Sequence, residues 1–588
     1  MRLLSLLCLL LLLMFNVSSS APTPPAAPDP KKWKQIDALL AKDQTATASK
    51  LVEEIYQAAR RQQDTPEYLR ALLYKLRLLE AKEENADAKS ITLIEQDLAT
   101  AKFPARPILH SLLAQLYANY YQRHRYQLYD RTRAAAPDSA DLATWDAAQL
   151  GSAIVRHYQA SVNEEPQRQQ KLQLQDLGYA VRGGDAEGRA LRPTLYDILV
   201  HRAVAGLGND EFYITQPAAQ FRVAKPALLG PAAEFVRVPL QAPAADSLNG
   251  QFHALRLLQL LTAFRLTEDR NLAALADVDL TRLAFVNQHA TFANKDSLYR
   301  KALAREAEHY KVLPISTEFL FAEANTLQEN QPAKARELAL KAEQRFPNSR
   351  GAQQAKALRQ QIEAVELSFV VEEVVLPNQP WLLKLETRNV KQLYAKAYRV
   401  STAHVLRQLA KPNPDFAKSY ARVLAAAPAA TWALALPSFR DYKNHTIQQA
   451  GPALPLGHYL VVISTAEENA TKAQKGIVTN YTLLGVSELS ALTRRNDTTG
   501  ATQVLLLHRK SGAPVSDAQV LPRFRINAPQ SRNTINGQAV QPDATGQLTI
   551  NWPADQASNG VRMLEAFLVV RKSDSLLQKG YYGAYANE

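Results

Sequence analysis

One cysteine in 588 residues sets the first limits on this chain. It is Cys8, inside an apolar leader, so once the leader is removed there is neither a disulfide nor a thiolate to do chemistry. The compact motifs that mark common reactions are missing too. There is no His-Glu-x-x-His pair to hold zinc, no glycine-rich loop to cradle phosphate and no Gly-x-Ser-x-Gly elbow to present a nucleophile. The eleven histidines are scattered, with no two at ligand spacing on a helix. The one candidate membrane span, Leu3 to Phe15, is shorter than the roughly 20 residues that cross a bilayer. No catalytic, cofactor-binding or metal-binding residue is assigned on these grounds, and no cofactor.

What is present begins with that leader. Arg2 supplies a positive start, Leu3 to Phe15 an apolar centre and Val17-Ser-Ser-Ser-Ala21 small residues for cleavage, so residues 1–20 read as a signal peptide cut near Ser19 or Ser20. An uncleaved anchor is the alternative, and the short apolar centre weighs against it. Lipidation at Cys8 is disfavoured because Leu6-Leu7 precede it rather than small residues. Export without disulfides points to a bacterial periplasm or cell envelope. The composition, 46% hydrophobic and 21% charged, is that of a folded protein with room for three or four domains. A formal charge of +13 invites an anionic partner. The charges are interleaved, however, as in Glu337, Lys341, Glu343 and Arg345, the pattern of a solvated helix face, and no nucleic-acid partner is expected.

Residues 21–32 are rich in proline and read as an extended spacer, with order beginning near Trp33. From 33 to 365 the apolar period is helical. Leu51, Ile55, Tyr56 and Ala59 share a face; Thr65 is placed to cap a helix with Pro66 at its first position; Asp141 to Asp146 read as a capped start. The period lapses between Asp210 and Leu248, which suggests an ordered crossing loop or an internal linker. Between Ile315 and Ala364, small alanines on successive helices followed by Phe346-Pro-Asn348 give a tetratricopeptide-like pattern, with no second copy at a fixed period.

Near Leu367 the period becomes alternating. Leu383 and Leu385 oppose Lys384 and Glu386, and Leu393, Ala395 and Ala397 alternate with Tyr394, Lys396 and Tyr398, with a reversal at Asn389-Val390. A first antiparallel β-sandwich is expected over 366–472, interrupted by helices near Ala403 to Ala410 and Asp415 to Ala427, and a second over 473–588. In the second, Ser511 to Val520 and Gln541 to Trp552 read as hairpin-like turns closed by Gly512 and Gly546, with Pro514 excluding helix. The fold class is therefore multidomain, α plus β, a helical solenoid-like region followed by two β-sandwiches.

Three local features compete for a function. The basic and aromatic run Tyr120 to Arg131 suits nucleic acid or glycan, or else a core of aromatics with arginines reaching outward. Glu306 and His309 stand three apart, as in some metal sites, without a second such pair. Glu372-Glu373 interrupt an apolar strand, which a bulge or strand edge explains better than acid-base catalysis. Asn444-His-Thr446 and Asn480-Tyr-Thr482 are glycosylation triplets that arise readily by chance.

Taken together, Trp33, Ala101-Lys-Phe-Pro-Ala-Arg-Pro-Ile-Leu109, Leu128-Tyr-Asp-Arg-Thr132, Thr144-Trp-Asp146, Arg192-Pro-Thr-Leu-Tyr-Asp197, Asn389 to Tyr394 and Gly512 to Val520 resemble the N-terminal portion of the bacterial alpha-2-macroglobulin family, Bacteroidetes type. The resemblance implies macroglobulin-like sandwiches, proteases or envelope proteins as partners, and a place in a protease trap. Family members carry a bait segment, and many a Cys-x-x-Gln thioester, neither of which is assignable here. The expectation is a non-catalytic N-terminal part of an envelope endopeptidase inhibitor, as a fragment or shortened relative followed by missing domains. The alternative is an envelope interaction scaffold without antiprotease action; an enzyme comes third.

Overall fold

The proline-rich spacer ends sooner than its composition suggests. In the computed structural model a helix opens at Pro30 and runs to Leu40, with Trp33 and Ile36 buried. Proline is tolerated there because the first-turn N–H groups have no helical acceptor in any case. The structure describes residues 30–129, 141–181, 186–212, 217–409, 416–467, 476–495, 501–528, 531–551 and 561–584. The signal peptide 1–20 and residues 21–29 lie outside them. A helical region comes first and a β-rich region follows. The chain divides into two compact units, Met1–Gln328 with Lys334–Arg359, and Glu329–Ala333 with Gln360–Glu588.

In the first unit, helix starts are fixed by side-chain acceptors. The helix Thr65–Lys82 is capped by Asp64, which accepts from the Glu67 N–H, so the cap lies one residue before the expected Thr65. Thr65 instead supplies the first helical residue and Pro66 the next. Asp146 caps Ala147–Asn163 and Thr194 caps Leu195–Leu207, each donating its own backbone N–H in return to the side chain of the residue three ahead. The apolar stripes behind these caps converge on one core from Trp33 to Ala355.

Of the stretch Asp210 to Leu248, expected as an ordered crossing loop or an internal linker, residues 217–248 carry only the short helical turns Pro226–Leu229, Ala232–Phe235 and Ala244–Asp246, and they are held from outside. Gln259 donates to the carbonyls of Phe235 and Val238, Arg282 to that of Leu228 and Arg305 to that of Leu229. These bonds satisfy backbone groups that no regular ladder serves, and this lets Leu228, Leu229 and Phe235 be buried. The last helices of the unit, Ser316–Leu327, Pro332–Arg345 and Arg350–Glu363, bury alanines 324, 335, 339, 342 and 355.

The second unit opens with β1 (Glu366–Val371), β2 (Val374–Val375), β3 (Trp381–Arg388), β4 (Gln392–Val400), β5 (Ala430–Ala435), β6 (His445–Gly451), β7 (Gly457–Ser464) and β8 (Thr479–Val486). They form a sheet β1-β3-β6 and a sheet β2-β8-β7-β4-β5 that share one core built on Leu383, Leu385, Leu393, Ala395 and Val461. Three expectations change here. The border at 472/473 falls inside this group, because β8 pairs with β7 along its whole length. The pairing is not wholly antiparallel, since β2 runs parallel to β8. Asn389, at φ 58°, does not close a hairpin but carries the chain from the sheet of β3 to the sheet of β4.

Two helices, Thr402–Leu409 and Phe416–Leu424, lie between β4 and β5 in sequence, matching the expected interruption. Val405 and Tyr420 from them pack with Tyr398, Val400, Leu460 and Val462, so the five-stranded sheet is covered on both faces. This explains why β7 is an unbroken apolar run rather than an alternating one.

After Ser487 and Glu488 come β9 (Leu489–Arg495), β10 (Thr502–His508), β11 (Gln519–Ala528), β12 (Ser531–Asn536), β13 (Gln547–Ile550), β14 (Val561–Arg571) and β15 (Asp574–Ala584). Sheets β13-β10-β9 and β12-β11-β14-β15 close over Val504, Leu506, Val515, Val520, Phe524 and Phe567. Leu548 and Ile550 are both buried, as their spacing requires. The segment Ser511 to Val520 is again a crossing and not a hairpin: β10 and β11 belong to different sheets. Gly512 turns at φ 70°, and Pro514 and Val515 lie back along β10, with the Val515 N–H donating to Leu506 O at 3.1 Å.

Candidate functional site

The three sequence candidates dissolve into structure. Tyr117, Tyr120 and Tyr121 of the Ala105–Tyr129 helix are buried. Arg123 is paired with Glu80 at 3.0 Å and with Asp87, while Arg125 lies over the exposed ring of Tyr126. No open basic stripe remains over Tyr120–Tyr129, and 130–132 lie outside the described residues. Glu306 is buried and bonded to Arg305 at 2.8 Å, and burial pushes its carboxyl up. His309 packs edge-on against Tyr310. Among the described residues no group of three His, Cys, Asp or Glu is placed to hold a metal ion. Glu372 and Glu373 stand exposed at the corner where the chain leaves β1 for β2. The Asn480 carboxamide donates to the Leu367 carbonyl.

What the sequence reading did not find is a set of buried charges inside the helical unit. Asp97 accepts from the hydroxyls of both Tyr56 and Tyr68 at 2.6 Å and pairs with Arg60 at 3.2 Å. Asp197 pairs with Arg265, both almost wholly buried. Arg282 bonds Asp279 at 2.5 Å, and the Tyr310 hydroxyl reaches the same carboxylate. Burial opposes ionisation of Asp277, yet bonds from His201 and Arg192 hold its carboxyl well below the usual range. Every one of these carboxylates has a cation or hydroxyl at bonding distance, so the set orients helices and is not poised to react. A signal was present: Asp277 and Asp279 alternate with Ala276, Val278 and Leu280 in the helix Leu272–His289.

A histidine pair lies in the same unit. The Nδ1 atoms of His110 and His157 are 2.9 Å apart, and His110 Nε2 is 3.2 Å from Glu164 Oε1, itself 3.0 Å through its other oxygen from Arg106. The neutral arrangement that satisfies the histidine contact has His157 Nδ1–H donating to His110 Nδ1, which leaves the His110 proton on Nε2, near Glu164. Burial pushes His157 down to about 4, helped by the neighbouring His110 and Arg156.

In the β unit, His458 Nε2 lies 3.1 Å from Ser575 Oγ, a spacing that would suit an activated serine. The space beside them is only about 30 Å³, the share of one water, and Asp574 turns an oxygen to the Glu488 N–H at 2.9 Å. The pair therefore joins the strand Gly457–Ser464, before Ser487, to the strand Asp574–Ala584, after it, and has no room for a substrate. A larger cavity of about 480 Å³ lies in the helical unit. Leu191, Ala273, Leu313, Ile315, Phe346 and Pro347 give it apolar walls, and Glu187, Asn348 and Ser349 its polar groups. It has the size of a small-ligand or side-chain pocket. No helix among the described residues is long and apolar enough to cross a membrane.

No family model matches the chain, and no curated protein matches it. Among solved structures it is similar to native alpha-2-macroglobulin from Escherichia coli spanning domains MG0-NIE-MG1, at 14% identity over 37% of this chain and 64% of that one, with a TM-score of 0.26. It is similar also to the NIE-MG1 portion of that protein, at 14% identity over 37% of this chain and 97% of that one, with a TM-score of 0.25. A third likeness is to the class 5 fimbriae chaperone CfaA, at 9% identity over 37% and 99%, with a TM-score of 0.12.

Proposed function

We propose that the chain is a non-catalytic part of an envelope alpha-2-macroglobulin-like endopeptidase inhibitor, its N-terminal part, without bait or thioester. The observation that carries this reading is the succession of β groups: among the described residues, eight strands in two sheets, a link of Ser487 and Glu488, then seven strands in two sheets, with no reactive group assembled at their junction. On this reading each group is a macroglobulin-like sandwich, and the region before them is a tetratricopeptide-like helical array. The residues quoted for the family resemblance support it, among them Thr144-Trp-Asp146 and Arg192 to Asp197 in the helical region and Gly512 to Val520 in the last β group. The protein works in the periplasm or cell envelope, and its partners are proteases or envelope proteins.

Two measurements test this. Sequencing the coding DNA beyond residue 588 should reveal further β-sandwich units with a bait region; an in-frame stop with nothing similar downstream would sink the inhibitor reading. The purified chain incubated with trypsin should leave that protease fully active on casein and fully accessible to a macromolecular inhibitor. Protection of trypsin from that inhibitor would show that trapping needs neither a bait region nor a thioester.

A further inference from the structure

The cavity of about 480 Å³ in the helical unit has three properties that belong together. Its walls are apolar and stiff. Pro314 and Pro347 both line it, the Thr317 and Ser349 hydroxyls are bonded at 2.8 Å beside it, and Ile315 is fully buried. Such a wall is organised before anything binds, which lowers the entropic cost of occupation. Second, large apolar side chains are left in water at chain positions adjoining its lining residues. Leu272 precedes the lining residue Ala273 and is 55% exposed; Val312 precedes the lining residue Leu313 and is 73% exposed. Exposed apolar residues that flank the lining of an apolar cavity in the chain suit a surface that a partner covers.

The third property is a carboxylate short of a donor. Glu187 Oε2 accepts from the Arg350 N–H at 3.2 Å, but Oε1 has no hydrogen-bond partner among the described residues. The nearby Arg350 guanidinium is committed to Glu318, at 2.8 and 2.9 Å. A buried carboxylate oxygen without a donor is costly, and a cation brought by a ligand would relieve it. Glu187 as a whole is half-buried, and its terminal torsion is soft, so a small rotation brings Oε1 to an incoming group. Asn348, exposed beside the cavity, offers a carboxamide that both donates to and accepts from a peptide backbone.

We propose that this cavity docks an extended segment of a partner protein, which inserts one aliphatic or aromatic side chain and presents a lysine or arginine to Glu187. The site operates whether or not the chain serves an inhibitor. The probe is a fluorescein-labelled peptide, Gly-Ser-Phe-Leu-Lys-Ser-Gly, titrated against the whole chain by fluorescence anisotropy. Two control peptides replace Lys with Glu, or Phe-Leu with Ser-Ser. The first peptide should saturate below about 1 mM, and both controls should bind at least about tenfold more weakly. Glu187→Gln should abolish the preference for Lys over Glu while keeping the dependence on Phe-Leu. Ala273→Trp should fill the cavity and remove binding. Should that variant misfold, Val312→Ser, at an exposed position, should weaken binding several-fold with an unchanged melting temperature. Absence of saturable binding by the first peptide, or binding that ignores Glu187→Gln and Val312→Ser alike, overturns the proposal. So does uptake of a fluorescent sixteen-carbon fatty acid without any peptide binding, which would assign the cavity to lipid.

Discussion

At the scale of single residues, the groups that matter in the helical unit are those burial has moved off their ordinary protonation. His157 sits between Tyr117, which stacks on it, and His110, with Arg156, Arg106 and Glu164 as the nearby charges. Its folded value of about 4 lies below the 6.5 of a free histidine, so the unfolded chain takes the proton first as the solution is acidified. Stability contributed by the neutral ring is therefore intact above about pH 6.5 and falls from there toward pH 4, at roughly 1.4 kcal/mol per pH unit. His110 is shifted in the same direction by burial, against the pull of Glu164. Asp277 acts in another window: its carboxyl, held well below the usual range, gives up its contribution only at pH values below that of an ordinary aspartate. Urea unfolding of His157→Gln at steps from pH 7.5 to 4 should accordingly show a flatter loss between 6.5 and 4 than the unmodified chain. Identical slopes would mean that the ring is protonated in place without penalty.

At the scale of elements, the two glycines that mark the second β group separate conformational strain from crowding. Gly512 has φ 70° and nothing within 4 Å of where a Cβ would stand, whereas Gly546 has φ 79° and would place a Cβ 2.5 Å from the Leu506 carbonyl oxygen. That carbonyl belongs to β10, which also receives the Gly546 oxygen through the Leu506 N–H at 2.8 Å. Gly512→Ala should thus lose about 1 kcal/mol, the cost of a left-handed alanine, and Gly546→Ala clearly more, about 2 to 4 kcal/mol, because backbone must also move. Equal midpoints in guanidinium chloride would refute the distinction. Both glycines were legible in the sequence as turns, and so were the faces of β3, β4 and β13, since alternation decides which side chains point inward. Alternation does not say which strand lies alongside. A crossing between two sheets at Asn389 or Ser511 has the same turn chemistry as a hairpin, and β8 has the same pattern whichever group it joins. The buried acids escaped for a different reason: Asp197, Asp277 and Asp279 look like solvated charges until Arg265, Arg192 and Arg282 are brought to them from 68, 85 and 3 residues away.

At the scale of the whole molecule, apolar clusters decide what folds with what. The core of the helical unit is one cluster from Trp33 to Ala355, and the clusters of the β unit lie between Leu367 and Leu576. Each unit thus buries its own apolar surface, the condition for folding alone. The two β groups are not independent in this way, because they share polar bonds across a short link. Ser487 is fully buried and holds the Leu489 N–H at 3.0 Å, the Glu488 N–H donates to Asp574, and His458 meets Ser575. A fragment of residues 30–363 should therefore give a helical circular dichroism spectrum and one cooperative urea transition without the rest of the chain. A fragment of residues 364–588 should give a β spectrum and, because its junction is bonded, a single transition covering both β groups. Ser575→Ala removes one bond of that junction, worth about 1 kcal/mol, and should lower the midpoint of the second fragment while leaving the first untouched. A helical fragment that unfolds without cooperativity, or a β fragment that melts in two separated steps, would show that the clusters do not mark the folding units.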